Sequence, residues 1–85
     1  MKVLETDFRL AMDLEARIFE GLLSAHRTMF EGEFDQFDKH INEVMKAKNR
    51  LQQLCIKKQS RDRLEALVKE LQSKGMVIDF VKRVI

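Results

Sequence analysis

Read in alternating strides of four and three, the first third of the chain meets Leu4, Phe8, Ala11, Glu15, Ile18, Leu22, Ala25 and Met29. That spacing predicts one long amphipathic helix in which Glu15 is the only polar interruption. Met12, Phe19, Leu23 and Phe30 lie beside the row and widen the apolar face beyond what a single neighbour would cover. Gly21 falls inside the predicted helix, where it costs up to ~1 kcal/mol relative to alanine; a close helix contact there would account for it.

Gly32 follows the last periodic residues, and a glycine in that place takes the left-handed conformation that closes a helix. A bend is therefore expected near Gly32. A second row, Phe34, Phe37, Ile41, Val44, Lys48, Leu51 and Cys55, with Met45 and Leu54 beside it, predicts a second helix over roughly 34–56. Asp35 and Asp38 stand near its start and Lys57 and Lys58 near its end, the arrangement the helix dipole favours.

The run KKQSRDR over 57–63 is wholly polar, and the apolar phase that resumes at Leu64, Leu67, Val68 and Leu71 is displaced from the one that ends at Cys55. A break with Ser60 as N-cap is the preferred reading. The alternative is one uninterrupted helix through Leu71, since no Gly or Pro occurs between Glu33 and Lys74. Beyond Gly75, the residues Met76, Val77, Phe80, Val81, Val84 and Ile85 predict a short terminal helix with an apolar face, because MVIDFV has no second strand candidate to pair with. The expected fold is all-α and one domain over 1–85: an antiparallel helical hairpin with a third C-terminal helical arm, its broad stripes completed in a dimerising bundle.

Composition sharpens this picture. Eighty-five residues with 45% hydrophobic and 35% charged side chains, three Gly and no Pro argue against all-β and disordered classes. A chain this short buries only roughly 60 to 65% of its unfolded surface, which leaves little room for a deep private cleft and argues against an enzyme. The opening MKVLETDFRL carries Glu5, Asp7 and Arg9 where a secretory signal needs an apolar core. No apolar run approaches the ~20 residues of a membrane span, and the single Cys55 builds no internal disulfide. A cytoplasmic protein without a membrane segment is expected.

The near-neutral total of +2 conceals a polarised chain: residues 1–43 carry five basic and ten acidic side chains, residues 44–85 eleven basic and four acidic. Lys46, Lys48, Arg50, Lys57, Lys58 and Arg61 follow one another with no acid between the first and the last. Such a segment is a candidate for phosphate neutralisation on nucleic acid. The favoured reading is internal pairing, because an antiparallel hairpin bending near Gly32 brings Arg50 opposite Glu15 and Lys57 opposite Asp7 or Phe8. The absence of aromatic residues from Lys46 to Arg63 also argues against a base-stacking surface.

Other chemistry is thin. His26 is a candidate phosphotransfer histidine, but Arg27, Thr28 and Met29 replace the Lys-Gly pair that usually follows one. Two His and one Cys without short paired spacing make no zinc site. Glu31, Glu33 and Asp35 alternate like a calcium loop, yet Gln36 and Asn42 stand where the loop needs Gly and Glu. Cys55 continues an apolar row and is read as a packing residue. No metal and no cofactor are expected.

The stretch LLSAHRTMFEGEFDQFDKHINEVMKAKNRLQQL, Leu22 to Leu54, resembles the helical hairpin of flagellar export chaperones of the FliT and FlgN type. Gly32, Glu33 and Phe34 match the Gly-acid-aromatic turn of that hairpin, and Arg50, Leu51 and Leu54 match its basic-Leu ending. The resemblance implies a non-enzymatic chaperone that shields an amphipathic helix of an exported client against its own apolar surface. Phe30 and Phe34 at the bend and Phe80, Val81 and Val84 near the C-terminus are then the candidate partner-binding residues. A protein client or a homo-oligomer is the expected partner, and nucleic acid through Lys46 to Arg61 is the alternative.

Overall fold

The computed structural model describes residues 2–75. A 3-10 turn over Glu5–Asp7 leads into α1, Phe8–Phe30, and a short turn leads into α2, Phe34–Ser73. The described residues are thus all-α, two antiparallel helices forming a hairpin. The bend lies where the glycine predicts it. Gly32 has φ +77°, its N–H donates to the carbonyl of Met29 at 3.1 Å, and the Glu33 N–H donates to Thr28 at 2.8 Å. Those two bonds are the Schellman pattern, which satisfies carbonyls that the helix end leaves without partners. Glu31 and Glu33 therefore belong to a helix-closing turn.

The helices meet along a seam that differs from the expected row. On α1 the seam runs through Ala11, Leu14, Ile18, Gly21, Ala25 and Thr28, with Leu10 and Ser24 half-buried beside it. The row shares Ala11, Ile18 and Ala25 with the hydrophobic reading but takes Leu14, Gly21 and Thr28 where that reading has Glu15, Leu22 and Met29. On α2 the seam runs through Phe37, Ile41, Val44, Ala47, Leu51 and Cys55, with Ala47 in place of Lys48. Small residues decide this choice. Alanine and glycine let the two backbones approach, and Leu14, only 2% exposed, and Val44 fill the space between them. Thr28 is compatible with burial because its hydroxyl donates to the Ala25 carbonyl at 2.9 Å.

α2 is a single helix of 40 residues, so the expected break at Ser60 does not occur. The polar run KKQSRDR is carried through by pairs one turn apart: Lys58 Nζ lies 2.9 Å from Asp62 Oδ2 and Arg61 Nε lies 3.5 Å from Glu65 Oε1. With no Gly or Pro in the way, such i,i+4 pairs are enough to continue a helix without an apolar stripe. Leu64, Val68 and Leu71 belong to α2 rather than to a returning arm. The expected terminal helix over 76–85, with Phe80, Val81 and Val84, lies outside the described residues.

At ~1.5 Å per residue, α2 runs about 60 Å against about 35 Å for α1, which accounts for the 65 Å long axis of the molecule. The N-terminal segment closes the open end. Val3 is buried there, and it shares a surface depression with Lys58, Arg61, Asp62 and Glu65. No described helix is long and apolar enough to cross a membrane.

Candidate docking face

Because the seam is narrow, each helix has positions that fall just after it and just before it. Those just after it on α1 are Phe8, Met12, Glu15, Phe19, Leu22, His26 and Met29, five of them apolar. Those just before it are Leu10, Asp13, Arg17, Glu20, Ser24 and Arg27, all polar but Leu10. In an antiparallel pair, positions that follow the seam on both helices share one face of the hairpin. Met45 and Ile56 of α2 therefore join the apolar side. On the opposite side, an open groove is lined by Arg17, Glu20 and Ser24 of α1 together with Glu43, Lys46 and Arg50 of α2.

Among the described residues no element covers the apolar side. Phe8, Met12, Phe19, Leu22, Leu23, Met29 and Phe30 of α1 and Met45 and Ile56 of α2 are all exposed, Phe19 to 64% and Phe30 to 87%. Within it, Met12, Ala16, Phe19, Leu23, His26 and Phe30 repeat at alternating steps of four and three, the spacing of a coiled-coil seam. This second row sits roughly 140° around α1 from the buried seam, at 100° per residue. Helix α1 therefore carries apolar rows on two sides, and among the described residues only one of them meets a helix.

Phe30 and Phe34, singled out in the sequence, stand exposed at the bend end of this face. Phe80, Val81 and Val84 lie outside the described residues. Phe8, Met12 and Phe19 are the residues that the sequence reading placed in or beside the hairpin row rather than on a separate face. The signal available was the second four-three repeat beside the first. His26 lies within the exposed row, with Leu22, Leu23, Met29 and Phe30 at the helical neighbour positions around it.

The basic segment is mostly engaged along its own helix. Lys46 pairs with Glu43 at 3.4 Å, and Lys58 and Arg61 pair with Asp62 and Glu65. Lys57 reaches across to Asp7 at 3.2 Å, as expected. The expected partnership of Arg50 with Glu15 does not form. Glu15 follows its seam and Arg50 precedes its own, so the two stand on opposite faces of the hairpin. Among the described residues no carboxylate lies within salt-bridge distance of Lys48 or Arg50; Lys48 Nζ instead donates to Gln52 Oε1 at 3.4 Å. Lys46, Arg50, Lys57 and Arg61 share one side of α2, again by helical spacing.

No group of His, Cys, Asp and Glu that could hold a metal ion occurs among the described residues, and Cys55 is half-buried at the seam. Comparison with protein-family models, curated proteins and solved structures returns no match to this chain.

Proposed function

We propose that this protein is a non-enzymatic helical interaction module, which covers an amphipathic helix of a partner with the outer face of α1. The observation that carries the reading is the row Met12, Ala16, Phe19, Leu23 and Phe30, apolar at coiled-coil spacing and, but for Ala16, made of large side chains left exposed in a molecule with little private core. Exposed apolar surface of this extent on a small protein marks an interface. Helix-in-groove recognition reads such surfaces through anchors at three- and four-residue spacing, and Met12, Met29 and Met45 supply side chains that adapt to their occupant. The Gly32-Glu33-Phe34 turn is in keeping with an export-chaperone-like role in which the covered helix belongs to a client.

A photoreactive phenylalanine analogue at Phe19 tests the reading in cells. Cross-links to a defined helical segment, lost when the analogue is moved to Arg17 on the polar side, are expected; equal labelling from both positions contradicts it. The alternative reading is a phosphate-binding surface, resting on the alignment of Lys46, Arg50, Lys57 and Arg61 along one side of α2. It predicts binding to DNA or RNA that weakens steeply with salt, and the absence of any mobility shift at low salt ends it.

A further inference from the structure

We propose that the occupant of the outer α1 face is a second copy of this chain, seated antiparallel so that two hairpins join through their α1 helices into a four-helix assembly. The inference rests on the interaction-module reading and specifies its partner. Its basis is that the face is complementary to itself when one α1 is reversed on another about a two-fold axis passing near Gly21. In that register Phe19 faces the partner's Leu23, Met12 faces the partner's Phe30, and His26 meets the small side chain of the partner's Ala16. The large residues thus meet one another, and the one polar residue of the row meets the smallest. A two-fold interface requires this reciprocity, because each contact occurs twice.

Charge selects the same direction. Asp13, Glu15 and Glu20 flank the first part of the row and Arg27 flanks its end. Antiparallel docking brings Arg27 beside the partner's Asp13, since both follow the row and so share one face of the pair, and leaves Glu20 as the one carboxylate near its own copy; parallel docking sets Glu15 beside the partner's Glu20 twice, an arrangement that like charges oppose. None of Asp13, Glu15, Glu20 and Arg27 is in an ion pair among the described residues of the single hairpin. The row from Phe8 to Phe30 runs about 33 Å along a helix about 10 Å across, a footprint on the order of 330 Å² before surface relief is counted. A standard interface buries about 800 Å² per partner, so the relief of the large side chains and the apolar neighbours of the row supply the rest. Met45 and Ile56, on the same side, extend the face.

Single cysteines in a Cys55→Ala background, joined by a short bismaleimide, test both the partner and the direction. Leu22→Cys, close to the axis, is expected to cross-link to its own copy. Met12→Cys alone should not, but Met12→Cys mixed with Phe30→Cys should. Self-linking of Met12→Cys alone would reveal a parallel pair and overturn the proposal. So would a chain that stays monomeric at high micromolar concentration with its helicity intact, checked on the cysteine-replaced and the native chain alike. In that case side-specific cross-links from Phe19 to a different protein would leave the module reading standing, whereas loss of both results would remove the reading as well.

Discussion

Val44 occupies the space in which a side chain on Gly21 would stand: a Cβ built there falls 2.5 Å from Val44 Cγ2 and 3.8 Å from the His40 carbonyl oxygen. The helical glycine therefore marks a close approach between α1 and α2, and it sits near the middle of α1. Gly21→Ala gains up to ~1 kcal/mol of helix propensity and loses about 1 to 3 kcal/mol to overpacking against a β-branched, buried neighbour. Net destabilisation of about 1 kcal/mol is expected by urea unfolding. In a Val44→Ala background the same substitution should become neutral or stabilising, since the obstructing methyl is gone. Equal cost in both backgrounds would show that the two residues are not coupled.

Gly32 is a glycine for a different reason. Nothing lies within 4 Å of a Cβ placed there, but its φ of +77° disfavours L side chains. Gly32→Ala should cost roughly 1 to 2 kcal/mol, and Gly32→Asn less, because asparagine tolerates that region. Thermal unfolding of the two variants measures the order, and equal losses would point to a steric cause instead.

Much of the fold was legible in the pattern. The two helices, the bend at Gly32 and the cross-hairpin pair of Lys57 with Asp7 all follow from periodicity and turn chemistry. The seam was misplaced by one residue at alternate positions, since periodicity weighs hydrophobicity whereas packing here rewards small size. Gly21, Ala25 and Ala47 admit a close backbone approach that Leu22, Met29 or Lys48 would obstruct. That shift decides the candidate site, because it moves Leu22 and Met29 from the hairpin interior to the open face, next to Phe19. It also explains why Arg50 and Glu15, opposite each other along the axis, do not meet. The break assigned to Ser60 failed for a separate reason. A loss of apolar phase marks the end of a buried stripe, while the Lys58–Asp62 and Arg61–Glu65 pairs carry the helix onward in solvent.

Leu14 and Phe19 separate folding from association. Leu14 is the largest side chain that is fully buried, and Leu14→Ala should lower stability by about 2 to 4 kcal/mol, a large part of the roughly 5 to 10 kcal/mol expected of a small domain. This loss should persist at every protein concentration. Phe19→Ala removes exposed surface and should leave the dilute hairpin nearly unchanged while abolishing any rise of the melting temperature with concentration. Melting curves over a hundredfold concentration range distinguish the two; the same concentration dependence in Phe19→Ala and the native chain would contradict the assignment.

Reversing charge beside the outer row gives a directional check. Arg27→Glu should weaken self-association by about 1 kcal/mol, two exposed pairs each being worth up to ~1 kcal/mol, and Asp13→Arg in the same chain should restore it. Lys46→Glu with Arg50→Glu, on the opposite face, should leave association unchanged. Titration by fluorescence anisotropy at low salt reads all three, and failure of the Asp13–Arg27 swap to restore binding would argue against the antiparallel register.

The most direct measurement is the mass of the full chain in solution as a function of concentration, alongside a variant carrying Phe19→Ser and Leu23→Ser. For the native chain, sedimentation equilibrium should give a mass rising from the 10.1 kDa of one chain to twice that value, and for the variant a mass that stays at one chain with helical content unchanged at low concentration. A native chain that remains at 10.1 kDa throughout, or a variant that dimerises as well as the native chain, would contradict the account.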